Sequence, residues 1–206
     1  AATKLKIKTI ILSDDQNAPA KNFCDEIIIA DYNNLKKIDD FISKVDFVTF
    51  EFENIPFNVL EYISKHKPVY PKPSINQIVQ NRITEKNFVN NQGIKTTDYV
   101  LIKNKLDLLN NENMLPAFLK TCTLGYDGKG QYIINNKDEI DNLNVDFKKE
   151  YILEKKINLK KEISVIITRF LNNGFLIYEP IENIHINQIL NKSAIPALID
   201  KNIFTQ

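Results

Sequence analysis

The chain has 206 residues, 43% of them hydrophobic, which is enough to bury one sizeable core or two small ones. Its 27 Lys and Arg residues against 26 Asp and Glu residues leave a net charge of +1, so no overall field draws it to nucleic acid or to an anionic membrane. No apolar run approaches the roughly 18 residues of a membrane span, and two distant cysteines do not make a disulfide scaffold, so we expect a cytoplasmic protein.

The first part of the chain predicts alternating strands and helices. Residues 7–12 and 27–29 are β-branched runs bounded by polar turn residues, which is typical of buried strands. Apolar residues recur at helical spacing over 35–42, and residues 45–50 form another apolar strand. The order strand, helix, strand predicts a parallel sheet.

The segment that follows predicts helices. Pro56 indicates the first turn of one helix, and residues 68–71 an extended piece after it. Ser74 is the expected cap of one longer helix that ends at Gly93. We place a domain boundary near this glycine.

Short strands dominate the remainder, which predicts an antiparallel α+β arrangement. The predicted strands are 99–102, 117–120, 132–134, 151–154, 163–170 and 175–178. Asn172-Asn173-Gly174 predicts a hairpin turn between the last two.

Glycine usage points to a loop that approaches an anion. Three of the five glycines lie within residues 125–130. Glycine lets backbone N–H groups come close to an anion, while Lys129 and the strand-ending Lys120 add positive charge, a combination suited to polyphosphate. Asp127-Gly128 is also a common hairpin turn, so composition alone leaves both interpretations open.

Acidic residues stand at strand ends. Glu154 and Glu162 could meet at one cleft, where the chain after Glu154 receives an adenine edge and Glu162 accepts hydrogen bonds from ribose hydroxyls. Spacing alone favours two exposed acids among neighbouring lysines. Glu51 and Glu53 follow a predicted strand at its carboxyl end, where open parallel sheets bind ligands, although a solvated strand end fits equally well.

Glu182 and His185 are three residues apart, a spacing that would unite them as metal ligands on a helix but separates them on a strand. The isoleucines among them favour the strand. We therefore expect His185 to line a cleft or satisfy a core hydrogen bond, and we predict no metal ligands in this chain.

Taken together, these residues resemble the 5-(carboxyamino)imidazole ribonucleotide synthetase family of ATP-grasp enzymes. The stretches that carry the resemblance are 25–26, 31–32, 48–56, 80–82, 85–86, 120–121, 125–131, 162–165, 182–185 and 195–197. The most specific are Gly-Tyr-Asp-Gly-Lys-Gly-Gln at 125–131 and Glu-Phe-Glu-Asn at 51–54.

The resemblance implies an ATP-grasp fold of mixed α/β and α+β class. Residues 1–93 would form part of a Rossmann-like parallel-sheet domain with a connecting helix. Residues 94–178 would form a small antiparallel lid domain, and 179–206 would begin the C-terminal ATP-grasp domain. The chain is expected to be truncated at both ends, because the family's first glycine-rich turn and its magnesium-binding segment are not in it.

The implied function is ATP- and bicarbonate-dependent carboxylation of 5-aminoimidazole ribonucleotide in purine biosynthesis, with Mg²⁺ held by the missing part and a homodimer as a family expectation. Catalytic residues would be Tyr126, Asp127 and Lys129, and Glu51, Glu53 and Tyr126 would contact the imidazole ribonucleotide or bicarbonate. Contacts with ATP would come from Arg82, Lys120, Gly125, Tyr126, Asp127, Gly128, Lys129, Gly130, Gln131, Glu154, Lys155, Lys156, Ile157, Glu162 and His185.

Two alternatives accompany this interpretation: a non-catalytic nucleotide-binding remnant of such an enzyme, and another ATP-grasp carboxylate-amine ligase. One departure concerns the glycine-rich loop, since Cys122, Thr123 and Leu124 stand where the family has two arginines and a glycine. The missing cations weaken anion binding, and a β-carbon at Leu124 limits backbone freedom.

Overall fold

The computed structural model describes residues 2–125, 130–186, 189–200 and 202. The chain divides into two compact units, Ala1–Lys95 and Thr96–Gln206. Within the described ranges, every helix is too short or too polar to cross a membrane. The three domain limits implied by the resemblance stay predictions.

The first unit alternates strands and helices. In chain order its elements are β1 (Ile10–Ser13), β2 (Glu26–Ile29), α1 (Leu35–Lys44), β3 (Val48–Thr49), α2 (Phe57–Ser64), β4 (Val69–Tyr70), α3 (Pro73–Val79) and α4 (Arg82–Asn91). Strands β1 and β2 pair in parallel, as do β3 and β4. The parallel direction is therefore confirmed, although the described strands of this unit form two separate two-stranded sheets and β2 does not pair with β3 in the strand–helix–strand order from which it was predicted.

The strand predicted over 45–50 is much shorter than expected, because only Val48–Thr49 pairs with a neighbour. Its partner strand is flanked by Pro68 and Pro71. The Pro68 carbonyl accepts a hydrogen bond from the Val48 N–H at 2.8 Å, but neither proline has an N–H to donate. The ladder consequently ends after two residues.

The core of the first unit lies between the strands and the helices α1 and α2. The Asn34 side chain caps α1 by accepting a hydrogen bond from the Lys37 N–H at 3.2 Å. Apolar residues at helical spacing then face inward. The buried core residues are Ile28, Ile38, Phe41, Ile42, Val48, Val59, Leu60, Ile63 and Val69.

The prediction of one long helix capped by Ser74 is wrong. Two helices occupy this segment, and α3 begins after Lys72, so Ser74 lies inside its first turn. The break comes at Asn81, whose extended backbone (φ −128°, ψ 120°) and side-chain oxygen cap α4 by accepting from the Ile83 N–H at 2.9 Å. Helix α4 does end before Gly93, which takes φ +80°, so the predicted glycine stop is confirmed.

Proline at position 56 also lies one step outside its predicted place. Helix α2 begins at Phe57, and Pro56 occupies the capping position directly before the first turn.

The second unit is built mainly from antiparallel strands. Its elements are β5 (Tyr99–Ile102), α5 (Lys105–Asn110), β6 (Ala117–Thr121), β7 (Gln131–Ile134), α6 (Lys137–Asp141), β8 (Tyr151–Lys155), β9 (Glu162–Ser164), β10 (Ile167–Arg169), β11 (Phe175–Ile177), β12 (Ile181–Ile186) and β13 (Ile189–Ala194). One sheet has the order β5-β8-β6-β7, another the order β13-β12-β9, and β10 and β11 form a hairpin.

The four-stranded sheet carries the core of this unit on one face. Helices α5 and α6 contribute Leu108 and Ile140 to it, and Leu119 and Leu153 come from the central strands. All four side chains are at most 1% exposed. The other face is therefore the one available to a ligand.

The single strand predicted over 163–170 is wrong, because β9 and β10 pair with different partners. Strand β9 pairs with β12, whereas β10 pairs with β11 across the predicted hairpin turn. In that turn Asn173 takes φ +65°, and the Phe170 N–H donates to the Gly174 carbonyl at 2.8 Å. The hairpin prediction is confirmed.

The cap at Asn81 generates the first prediction. Asn81→Ala removes the acceptor for the Ile83 and Thr84 N–H groups, so we expect the free energy of unfolding to fall by about 1 kcal/mol. Urea unfolding followed by circular dichroism measures it. Asn91→Ala, at the exposed last residue of the same helix, is the matched control. Equal losses in the two variants would contradict the capping role.

Candidate functional site

Three predicted nucleotide-contacting residues share the open face of the four-stranded sheet. Lys120 on β6 lies opposite Gln131 on β7, and Phe118 lies opposite Glu154 on β8. Residues two apart on a strand point to the same face, so Phe118 and Lys120 share one. Lys120, Gln131 and Glu154 consequently lie on the face away from the core.

Lys120 and Glu154 form an ion pair. The lysine Nζ donates to the Glu154 Oε2 at 2.7 Å and lies 5.5 Å from the centre of the Phe118 ring. Glu154 is only 7% exposed, and a carboxylate so buried needs a charged partner. An ammonium has three donors, so one bond to Glu154 does not exhaust its capacity to bind an anion.

The glycine-rich loop is described only at its two ends. The predicted site residues Tyr126, Asp127, Gly128 and Lys129 lie outside the described residues. At the far end, the Thr121 N–H donates to the Gly130 carbonyl at 2.9 Å, and Gly130 takes φ +70°. A β-carbon on Gly130 would lie 2.9 Å from the Thr121 Oγ1, so both conformation and space require glycine there.

Leu124, at the near end of the loop, adopts the conformation that a glycine would take. Its φ is +60° and the residue is 71% exposed. A left-handed backbone costs a residue with a β-carbon about 1 kcal/mol. The chain therefore keeps the left-handed turn at this position despite the side chain.

A second pair lies on the three-stranded sheet. The His185 Nδ1 and the Glu162 Oε2 are 2.8 Å apart, and both side chains are partly exposed. His185 thus has a hydrogen-bond partner on an open sheet face and does not satisfy a core hydrogen bond. Asn183, directly opposite Glu162, is also bonded to Ser164 at 2.9 Å and to Ser193 at 2.9 Å.

Glu182 points to the other face of β12, as expected for a strand. Its carboxylate is bonded to Lys161, with Nζ at 2.9 Å from Oε1 and 2.8 Å from Oε2. The sequence did not reveal this pair, nor the polar strip of Ser164, Asn183 and Ser193. Alternation along β12 was the available signal, because Asn183 and His185 must share a face.

The two acids predicted to meet at one cleft lie in different sheets. Glu154 belongs to β8 and Glu162 to β9, and each has its own partner, Lys120 and His185. Lys155 ends β8, and Lys156 and Ile157 follow it as exposed residues. A cleft shared by the two acids stays a prediction.

In the first unit, Glu51 and Phe52 follow the carboxyl end of β3 and line a cavity of about 640 Å³. Asp14 and Tyr32 line the same cavity, and burial together with the charge of Asp14 raises the pKa of Tyr32. Glu53 does not line it. Of the predicted substrate residues in this unit, Glu51 thus lies on the cavity wall and Glu53 in the turn beside it.

Side-chain amides hold that turn, a feature that sequence patterns did not reveal. Gln80 Nε2 donates to the Glu53 carbonyl at 2.7 Å and to the Ile55 carbonyl at 2.6 Å. Asn76, only 1% exposed, donates to the Ile55 carbonyl at 3.1 Å. Arg82, a predicted phosphate contact in the same unit, is the first residue of α4.

Comparisons with known proteins bear on the family. A model of the ATP-grasp domain matches residues 87–206, more than half of the chain. A model of the ribonucleotide synthetase preATP-grasp domain matches residues 1–80. The chain belongs to the ATP-grasp family. The ATP-grasp fold class predicted from sequence, with its parallel and antiparallel parts, is confirmed.

Several relatives carry one name. The chain is 34% identical over 204 residues to the N5-carboxyaminoimidazole ribonucleotide synthase of Staphylococcus aureus (strain COL), covering 98% of this chain and 54% of that protein. It is 33% identical over 206 residues to the Bacillus subtilis (strain 168) enzyme of the same name, with the same coverage. The resemblance stated from the sequence is thereby confirmed.

A solved structure agrees. The crystal structure of N5-carboxyaminoimidazole synthetase from Staphylococcus aureus complexed with ADP superimposes with a TM-score of 0.90 at 33% identity, covering 99% of this chain and 56% of that one. The chain spans about half the length of the curated relatives that it matches.

The end of the glycine-rich loop generates the second prediction. Gly130→Ala combines an unfavourable φ with a contact to Thr121, so we expect the free energy of unfolding to fall by about 2 kcal/mol. Gly93→Ala is the control, because Gly93 has φ +80° and nothing within 4 Å of an added β-carbon. The free energy of unfolding of Gly93→Ala should fall by only about 1 kcal/mol, because only its backbone conformation is unfavourable. Thermal or urea unfolding measures both, and equal losses would show that the contact with Thr121 does not matter.

Proposed function

We propose that the chain is the nucleotide-binding part of an ATP-dependent carbon-nitrogen ligase that carboxylates 5-aminoimidazole ribonucleotide with bicarbonate in purine biosynthesis. The observation that carries the proposal is the Lys120–Glu154 ion pair on the open face of the four-stranded sheet. The strand that holds Lys120 leads into the glycine-rich loop, and Gly130 lies at the far end of that loop. The name shared by relatives at 33–34% identity supports the reaction, and the ADP bound to one of them supports the nucleotide.

The proposed reaction has two steps. Bicarbonate attacks the terminal phosphorus of ATP, which forms carboxyphosphate and releases ADP. The exocyclic amine of the imidazole ribonucleotide then attacks the carboxyphosphate carbon, a carbon–nitrogen bond forms, the carbon–oxygen bond to phosphate breaks, and phosphate leaves with the proton that the amine loses. Such transfers depend mainly on positioning and on charge placed where negative charge develops.

We assign to Lys120 a positive charge that stabilises the negative charge developing on the transferred phosphate. Its ammonium is held by a buried carboxylate, so it is oriented before a phosphate arrives and loses little conformational freedom on binding. The proposal places Arg82 and the loop residues Gly125 to Gln131 at the phosphates as well. Tyr126, Asp127 and Lys129 keep their proposed catalytic roles.

We assign the nucleoside to the following segments. The backbone of residues 155–157 would meet the adenine edge, and Glu162 with His185 would meet the ribose. A carboxylate accepts hydrogen bonds from two hydroxyls, and its pairing with His185 fixes its direction. Glu51 and Glu53 are proposed for the imidazole ribonucleotide, because they follow the carboxyl end of a parallel strand.

Magnesium is an expectation from the resemblance. Among the described residues, no group of three or more His, Cys, Asp or Glu side chains could hold a metal ion. The part of the chain that the structure describes therefore does not fit a metal centre.

The third prediction tests the nucleotide site. Lys120→Met removes a charge-assisted hydrogen bond to phosphate, worth about 1.5–3 kcal/mol, so we expect ADP to bind at least about tenfold more weakly. Isothermal titration calorimetry with the 206-residue chain measures this. Lys105→Met is the matched control, since it removes the Lys105–Asp141 ion pair of 2.8 Å in the same unit. ADP affinities that are equal in the two variants would contradict the assignment.

The fourth prediction tests the reaction. We expect the 206 residues alone to bind ADP but to turn over weakly or not at all, since they lack a metal-binding group among the described residues. A chimera tests the reaction in a chain of the relative's full length: residues 1–206 replace the matching 54% of the Staphylococcus aureus relative. It should hydrolyse ATP only when aminoimidazole ribonucleotide and bicarbonate are both present. Hydrolysis that ignores either substrate, or no hydrolysis by a folded chimera, would overturn the proposed reaction.

A further inference from the structure

Strand β9 is a short edge strand that carries a proposed nucleotide contact. It comprises Glu162–Ser164 and pairs only with β12 among the described strands. Three residues of backbone pairing at the edge of a sheet provide little order by themselves. Side-chain contacts must therefore contribute to holding Glu162 in place.

Two side-chain pairs hold the start of β9, one on each face of the sheet. On one face Glu162 contacts His185 at 2.8 Å. On the other face the preceding residue, Lys161, is bonded to both carboxylate oxygens of Glu182, at 2.9 and 2.8 Å. Ile163 lies opposite Glu182 in the register, so Lys161 reaches Glu182 diagonally across the two strands.

Glu182 also reaches a third segment. Its Oε2 lies 3.4 Å from the Leu198 N–H, and the next contact along that segment joins the Ala197 N–H to the Pro180 carbonyl at 2.7 Å. The Glu182 side chain is 22% exposed. It thus connects the end of the 156–161 linker, strand β12 and residues 197–198.

We propose that Glu182 and Lys161 are positioning residues for nucleotide binding: their ion pair fixes the backbone at the start of β9 so that the Glu162 carboxylate can accept from the ribose hydroxyls. The inference rests on the proposed function, in which Glu162 contacts ribose. Neither Lys161 nor Glu182 touches the nucleotide in this arrangement. They act by fixing the direction of the backbone at Glu162, whose side chain points to the opposite face of the sheet.

The electrostatics agree with a permanent pair at neutral pH. The charge-assisted hydrogen bond from Lys161 lowers the pKa of Glu182, against a smaller opposing effect of burial. A carboxyl whose pKa is lower in the folded chain contributes stability above its unfolded pKa and loses it as the pH falls through the folded value. The lowered pKa keeps the Glu182 carboxylate charged at neutral pH, as the ion pair requires.

The test compares ADP with 2′,3′-dideoxyadenosine diphosphate, which lacks the ribose hydroxyls. Calorimetry with the 206-residue chain gives the ratio of the two dissociation constants. The wild type should prefer ADP by on the order of tenfold, the value of hydrogen bonds to a charged group. Glu182→Gln should weaken the binding of ADP by most of that factor and leave the binding of the dideoxy compound unchanged. The ratio of the two dissociation constants should therefore fall towards unity.

Further variants separate positioning from loss of fold. Lys161→Met should reproduce the loss of preference, whereas Lys161→Arg keeps a donor to the carboxylate and should retain it. Lys103→Met is the matched control, because it removes the Lys103–Glu150 ion pair of 3.2 Å in the same unit and should leave the preference intact. Thermal melting shows whether each variant is folded. If Glu182→Gln does not fold, the result with Lys161→Met tests the inference instead.

The outcomes are distinct. A wild type that does not bind ADP overturns the proposed function. A wild type that binds ADP without preferring it to the dideoxy compound overturns the inference, because Glu162 then does not read the ribose. Equal weakening of both nucleotides in Glu182→Gln and Lys161→Met, with an unchanged ratio, also overturns it, since the pair would then be purely structural.

Discussion

Burial of the Glu154 carboxylate constrains the second unit, because a buried charge requires a charged partner. The residue is 7% exposed on a strand whose opposite face places Leu153 in the core, and Lys120 provides it with a charged partner at 2.7 Å. In the observed register Phe118 lies opposite Glu154, and Lys120 reaches Glu154 diagonally across β6 and β8. A slip of one residue would send the lysine into the core and bring Leu119, now 0% exposed, to the open face.

On its other side, β6 pairs with β7, the strand that follows the glycine-rich loop. Strand β7 pairs with β6 so that Gln131 faces Lys120, and the Thr121–Gly130 bond closes the pair directly before the loop. A β-carbon at Gly130 would push against Thr121 and disturb this closure. Gly130 therefore allows the left-handed backbone at the end of the loop. It also allows the close pairing of β6 with β7 next to Lys120.

How far the sequence predicts this arrangement depends on the range of each contact. Strands β5, β6 and β8 lie within one residue of their predicted limits, because apolar runs and alternation are local signals. The long helix was wrong because Asn81, a cap in mid-pattern, outweighs the apolar spacing on either side.

Contacts between distant residues escaped sequence analysis. Glu154 and Glu162 were singled out, yet their partners lie 34 and 23 residues away and follow only from strand pairing. The same holds for the Gln80 amide, which reaches back 27 residues to the Glu53 carbonyl. Residue type and strand position suggested which side chains mattered. Pairing order, which no local pattern fixes, decided what each of them touches.

The departures before Gly125 can now be separated by position. Cys122 is 3% exposed and its N–H donates to the Glu150 carbonyl at 2.9 Å, so a side chain there packs into the unit and does not face a ligand. Leu124 keeps the left-handed turn at the cost of a strained backbone. Thr123 is the replaced residue that is both polar and exposed. The resemblance implies two arginines in this stretch, and position 123 is where a lost charge would lie exposed beside the proposed phosphate site. In the proposed site, Lys120 on its buried carboxylate would then supply more of the positive charge at this end of the sheet.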